Sequence, residues 1–256
     1  RAYGRPERRV LYRMAAADPL KNIRIILCDT SHPGNIGAAA RAMKTMGLSS
    51  LHLVNPQRFP DPEAEWRAAR AVDVVRKARV HARLDDALHG IGYSIACSAR
   101  ARDIAVPAAT ARAAAGRAVA VARAQPVALV FGNETFGLTT EEVNKCALLA
   151  AVPANPRYSS LNLAAAVQVF AYELRVAAET PRVKGVQRRL AAHEQTEAFY
   201  DHLERMMTDI GFLNREHPKK LMPRLRRLFA RAELGPEEVN ILRGILKALS
   251  RPRKNG

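Results

Sequence analysis

The sequence predicts an α/β protein: a parallel sheet with helices on both faces, followed by a small all-α appendage at the C-terminal end. Three observations predict it. Between Lys21 and Glu179, short apolar runs alternate with helical stretches, the pattern of strand-helix units that build a parallel sheet. The apolar runs are continuous, as strands buried on both faces are. After "TPRVKGVQRRL", where Pro181 and Gly185 interrupt the pattern, the remaining segments carry helical periodicity alone. A chain of 256 residues has room for one large domain and one such appendage.

The elements follow in order. Residues 1–19 read as a loose, arginine-rich tail with no apolar stretch behind it, unlike a secretory signal. No apolar run reaches the roughly 18 residues of a membrane span, and a cytoplasmic location is expected. "NIRIIL" and "SLHLV" read as strands around a helix over 36–46, which Gly47 ends as a C-cap. An Ala/Arg-rich helix over 63–70 follows, then a strand "RVHARL", a short helix "DDALHG" and a strand "YSIAC". A helix is expected over 108–123, a strand at "PVALVF", a helix over 140–145 and a strand at "LLAAV".

The helix over 160–179 carries two apolar stripes. Leu163, Val167, Phe170 and Leu174 form one; Ala165, Val169, Tyr172 and Val176 form the other. Two apolar sides imply burial on two sides, either as a central core helix or shared with a subunit partner. Residues 20–180 are thus one domain, 181–192 a linker, and 193–256 a basic helical unit with helices over 196–210, 218–231 and 236–249. In the middle helix Leu221, Leu225 and Leu228 are expected to face inward. Arg224, Arg227 and Arg231 share another face, a solvated surface or a phosphate-binding ridge.

The net charge is +17, and it is concentrated. Residues 181–256 carry a net +8 in less than half the length over which residues 20–180 carry +6. A basic surface of this kind favours nucleic acid. Cys28, Cys97 and Cys146 lie far apart without a C-x-x-C, and the histidines form no H-x-x-x-H pair, so buried thiols and no metal are expected.

Four turns follow strands, where open parallel sheets bind ligands. "SHPGNIG" matches neither the G-x-G-x-x-G nor the Walker fingerprint. Asn35 is a candidate N-cap there, and Arg41 leans back toward the same helix mouth. "VFGNETFGL" places Gly132 and Glu134 at an abrupt strand end. "NPRYSSLNLAAA" enters the long helix through Ser159, Ser160 and Asn162, either serine being able to cap. "CSARAR" is the fourth turn.

Together "NIGAAAR", "VFGNETFGL" and "NPRYSSLNLAAAVQVFAYE", in that order, resemble the three motifs of the SPOUT superfamily of RNA methyltransferases, and within it the TrmH-type ribose 2′-O-methyltransferases. The "SARAR" loop and the "RLRRLF…NILRGIL" tail resemble the branch that methylates the ribose of cytidine or uridine at tRNA nucleotide 32. The resemblance spans about residues 21–250. It implies a C-terminal trefoil knot, a homodimer, tRNA as partner and S-adenosylmethionine as cofactor. It assigns catalysis to Asn35, Arg41, Glu134, Ser160 and Asn162, with Asn35 and Glu134 holding the Arg41 guanidinium. Cofactor-lining positions map to Cys97, Ser98, Ala99, Gly132, Val152, Ser159, Ser160 and Leu161. Cys97 stands where the family has threonine, and Arg70 to Asp73 replace a Gly-Ala-x-Asp. Sibling possibilities are a TrmH-type enzyme acting on rRNA and a catalytically silent RNA-binding protein with the same fold.

Overall fold

Strands with no polar face need cover on both sides, and the architecture supplies it. The computed structural model describes residues 18–99, 106–179, 189–214 and 220–250. Seven strands form one parallel sheet: β1 (Ile23–Cys28), β2 (Ser50–Val54), β3 (Arg79–His81), β4 (Tyr93–Cys97), β5 (Ala108–Thr110), β6 (Val127–Phe131) and β7 (Leu148–Ala151). Their order is β3-β2-β1-β6-β4-β7-β5. The domain's helices are α1 (Pro33–Thr45), α2 (Pro62–Ala68), α3 (Val72–Arg76), α4 (Leu84–Leu88), α5 (Ala111–Ala122), α6 (Thr140–Asn144) and α7 (Leu163–Glu179). Along β1 the period-2 geometry sorts the side chains. Ile25 and Leu27 pack with α1, α5 and α7, while Ile26 and Cys28 pack with the short α4 and α6.

Several boundaries differ from the sequence expectation, each for a local reason. Pro33 opens α1 earlier than residue 36, a position Pro suits because it lacks the N–H that would go unsatisfied there. The N-cap is His32, whose Nδ1 accepts from the Gly34 N–H at 3.3 Å, so Asn35 is not the cap. The stretch 108–123 is not all helix. Its first three residues add to β7 as β5, and the Thr110 hydroxyl then caps α5. Neither Ser159 nor Ser160 caps the long helix. The Asn162 carboxamide oxygen does, accepting from Ala164 N–H at 3.0 Å, so α7 starts at Leu163. Where Arg70 to Asp73 depart from the family pattern, α2 passes through a 3-10 turn with Ala69 at φ 50° into α3. Asp73 there receives Lys44 Nζ at 2.6 Å, tying that helix end to α1.

The C-terminal unit has three helices, α8 (His193–Asp209), α9 (Leu221–Ala232) and α10 (Pro236–Leu249), around a small core of Phe199, Tyr200, Met206, Val239 and Leu246. Leu228 does not face inward as expected; it is 49% exposed. Met222 and Phe229 take that role. Arg226 also points inward, bidentate to Glu197 at 2.6 and 2.8 Å and stacked over Tyr200 at 4.3 Å. Arg224, Arg227 and Arg231 are exposed. Of the expected linker, residues 181–188 lie outside the described residues, as do residues 1–17 of the expected tail. Leu190 and Ala191 are buried and dock. The His193 N–H donates to the Ile91 carbonyl at 2.8 Å, the Leu190 N–H to Gln125 Oε1 at 3.1 Å, and Arg117 pairs with Glu233. Ile91 and Gln125 precede β4 and β6, so the unit sits at the N-terminal end of the sheet.

All three cysteines are free and buried. Among the described residues, no group of three His, Cys, Asp or Glu is arranged to hold a metal. No described helix is long and apolar enough to cross a membrane.

A close helix contact explains one glycine. A Cβ on Gly37 would lie 2.1 Å from the Ala64 carbonyl oxygen, so α1 and α2 meet backbone to backbone. Backbone cannot yield as a side chain can. Gly37→Ala should therefore destabilise the fold by about 1–3 kcal/mol, the range for overpacking, measured as a lowered urea midpoint. An unchanged midpoint would show that the two helices separate freely.

Candidate active site

The four loops that leave the adjacent strands β1, β6, β4 and β7 at their C-terminal ends meet in one place. Three are joined by a chain of hydrogen bonds whose direction is set by chemistry. The Glu134 carboxylate, after β6, can only accept. It takes the Asn35 Nδ2–H at 2.8 Å through Oε1, and the Ser31 N–H and hydroxyl at 3.0 and 2.9 Å through Oε2. The Asn35 amide is thereby oriented, its oxygen turned outward. That oxygen accepts the Asn162 Nδ2–H at 3.0 Å, while the Asn162 oxygen caps α7. Residues from α1, the β6 loop and the entrance to α7 are thus fixed in one relay.

The electrostatics follow from this pairing. Burial pushes the Glu134 carboxyl up, but hydrogen bonds from Asn35 and Ser31 outweigh it and hold it below its ordinary value of 4.5. The loop carrying Glu134 is itself built on a tight approach: a Cβ on Gly132 would fall 2.2 Å from the Gly137 carbonyl carbon. Asn133 braces it, donating to the Asp29 carbonyl at 2.7 Å and accepting from the Thr135 and Phe136 N–H groups.

Behind the relay lies a cavity that opens to solvent. All eight positions expected to hold the cofactor line it: Cys97, Ser98, Ala99, Gly132, Val152, Ser159, Ser160 and Leu161. Phe131, Leu163, Ala166 and Phe170 give it an apolar floor, and Glu134 stands at its edge. Cys97 contributes a protonated thiol, since burial pushes it well above its ordinary value, and its sulfur faces the Ile95 carbonyl at 3.9 Å. In front of the relay is an open groove lined by His32, Gly34, Asn35, Ala38, Glu63, Arg67 and Asn162.

Arg41 lies one helical turn beyond Ala38 and is exposed. Asn35 and Glu134 bond to each other and not to its guanidinium, which has no ion-pair partner among the described residues. The structure therefore brings together Asn35, Glu134 and Asn162, sets Ser160 in the cavity wall and leaves Arg41 beside the groove without an ion-pair partner among the described residues. Arg224, Arg227 and Arg231 are remote, at the other end of the sheet. Sequence reasoning missed Ser31, His32 and Asn133. Only Asn133 had a local signal, as an asparagine in a glycine-flanked turn.

Comparison with known proteins places the chain. The model of the SpoU rRNA methylase family matches residues 22–172, and that of the tRNA methyltransferase TrmJ C-terminal domain matches residues 194–256. The tRNA (cytidine/uridine-2'-O-)-methyltransferase TrmJ of Escherichia coli K12 is 48% identical over 243 residues, covering 92% of this chain and 98% of that protein. The crystal structure of TrmJ from Z. mobilis ZM4 is similar at a TM-score of 0.79 and 33% identity, over 89% of this chain and 99% of that one. A probable methylase family protein from Haemophilus influenzae aligns at 0.61 and 43% identity, over 90% and 96%.

The relay makes an acid-dependent prediction. A carboxyl with a lowered folded pKa stabilises the fold fully above its unfolded value of about 4.5 and loses that stabilisation as the pH falls through the folded value. Glu134→Gln removes the titration. Urea unfolding from about pH 6 to about pH 3 should show the unsubstituted protein's advantage over the variant shrinking at the acid end. A constant gap would mean that the carboxylate is not held by these bonds.

Proposed function

Because the chain belongs to the SpoU methylase family and groups with the TrmJ tRNA methyltransferases, we propose that it transfers a methyl group from S-adenosylmethionine to the ribose 2′-hydroxyl of tRNA cytidine or uridine at nucleotide 32. The observation that carries this reading is the cavity. It holds the eight cofactor positions of the family motifs in one apolar-floored space, with the relay at its edge. Its apolar floor and its polar, loop-lined rim suit a nucleoside cofactor. When bound, S-adenosylmethionine supplies an electrophilic sulfonium methyl group.

The chain's own residues do the remainder. Cys97, Ser98, Gly132 and Ser159 to Leu161 enclose the cofactor, and Asn35 and Asn162 stand between it and the groove through which a ribose enters. Each amide retains a second N–H for the substrate. Arg41, exposed beside that groove, orients the reacting hydroxyl and stabilises the negative charge that develops on its oxygen. A guanidinium carries five N–H donors and no acceptor, so Arg41 serves as a donor and not as the base.

A homodimer belongs to the same reading. On α7 the stripe of Leu163, Val167, Phe170 and Leu174 is buried, while Tyr172 on the second stripe is 53% exposed. An apolar side chain that the described residues leave exposed fits a second subunit. The trefoil knot has its support in the path after β7, which returns past β4 and β6 to set Asn162 against Asn35, α7 then packing on α1 and α5. The exposed face of Arg224, Arg227 and Arg231 serves as a tRNA grip at the far end of the sheet.

Labelled methyl transfer to tRNA, with nuclease mapping of the modified ribose, tests the activity. Label at nucleotide 32 is expected; label confined to rRNA, or none, overturns the reading. Arg41→Ala should lower turnover at least about a hundredfold with S-adenosylmethionine binding retained by calorimetry. Arg41→Lys should not rescue it, because a point charge lacks the planar fork.

Phosphate contacts weaken with salt in proportion to their number. Neutralising Arg224, Arg227 and Arg231 together should weaken tRNA binding and flatten the slope of log affinity against log salt by about 2. Coincident filter-binding curves would assign the grip elsewhere.

A further inference from the structure

Three large apolar side chains are the most exposed among the described residues, and all three flank the active site: Tyr158 at 81%, Trp66 at 77% and Phe136 at 71%. Tyr158 adjoins Ser159 in the cavity-lining motif. Trp66 and Phe136 have no place in the site as described so far. Phe136 lies between Thr135 and Gly137, both in the cavity wall, on the loop that Asn133 braces. Trp66 lies on α2 between Glu63 and Arg67, which line the groove. At 100° per residue these three share about a third of the helix circumference.

Neither residue is presented on a loose segment. α2 is capped by Asp61, pinned to α1 at Gly37, and tied by Glu65 to Arg76 through two hydrogen bonds at 2.8 and 2.9 Å. The Phe136 loop is closed by the Asn133 side chain and by the Gly137 N–H donating to the Asn133 carbonyl at 2.8 Å. Rigid, exposed aromatic rings lose apolar burial and gain nothing from their own chain. Arg67, next to Trp66, and Arg157, next to Tyr158, are exposed, with no ion-pair partner among the described residues. Rings interleaved with free cations around a groove are what unpaired nucleic acid requires, since every base has a face to stack and every linkage a charge to meet.

We propose that Trp66 and Phe136 are stacking platforms for unpaired nucleotides on either side of the target ribose, Trp66 at the groove and Phe136 at the cavity mouth. This rests on the RNA methyltransferase reading and adds how the substrate is held open: the flanking bases leave their own stack for these two rings. The target ribose is then presented to Asn35 and Asn162 without base pairing. A fully paired strand, with its bases stacked on one another, does not engage the platforms.

Trp66 is the only tryptophan in the chain, so its emission reports on the platform directly. Titrating the full-length protein with an in vitro transcribed, unmodified tRNA should quench that emission, and a fully paired RNA duplex of similar length should not. Trp66→Ala and Phe136→Ala should each raise KM for tRNA roughly tenfold, with kcat and S-adenosylmethionine affinity little changed, and Trp66→Phe should restore KM. Absent or equal quenching by the two RNAs, or an unchanged KM in both alanine variants, overturns the proposal. So does a changed association state of either variant in sedimentation, which would assign the rings to a subunit interface. Should the unsubstituted protein methylate no tRNA, the activity reading fails on that assay, while the quenching contrast still decides whether unpaired RNA stacks on Trp66.

Discussion

A carboxylate that can only accept hydrogen bonds organises the active site. Glu134 takes donors from Ser31 and Asn35, and by doing so decides which way the Asn35 amide points. The outward oxygen of Asn35 then selects the nitrogen of Asn162, and the oxygen left on Asn162 caps the longest helix of the domain. An amide flip at either asparagine would set oxygen against oxygen, so the chain has one satisfied arrangement. Local helix capping, loop placement and the aim of two polar side chains become a single constraint.

That constraint works because the sheet delivers its members to one end. β1, β6, β4 and β7 are neighbours and parallel, so the loops that follow them converge although they are far apart in sequence. The glycine contacts set the spacing. Gly37 lets α2 sit against α1, which brings Glu63 and Arg67 to the groove, and Gly132 lets the Glu134 loop fold onto Gly137. The cavity and the groove lie on the two sides of the relay. This is the geometry a transfer reaction needs when donor and acceptor are separate molecules.

The C-terminal helices occupy the opposite end of the sheet. Strands of five residues at about 3.3 Å each put roughly 17 Å of sheet between the two ends. A substrate touching both the arginine face of α9 and the groove must therefore be large, as a folded RNA is. Arg226, in the same run as Arg224 and Arg227, is spent on internal structure, paired with Glu197 and stacked on Tyr200. Charge counted along a helix overstates what a partner can reach.

The sequence by itself determined the sheet, because continuous apolar runs such as "VALVF" permit only burial on both faces. The resemblance of its motifs to a known family supplied the cavity lining; Cys97, Gly132 and Val152 sit at strand ends, whereas Ser159 to Leu161 are brought there by the path from β7 to α7. Its motifs picked out Asn35, Glu134 and Asn162 but not the bonds among them. Asn35 looked like a cap, and Ser159 or Ser160 looked like the entrance to α7, because capping propensity is a local property that any Ser, Asn or Asp near a helix start satisfies. Only the tertiary structure decided between them. His32 caps α1 because Pro33 starts the helix early, and Asn35 is free to bond across 99 residues to Glu134. The inward face of α9 was settled in the same way, by what Glu197 and Tyr200 offered Arg226 from another helix. Hydrogen-bond direction and long-range pairing depend on which groups meet, and neighbours in sequence carry no record of that.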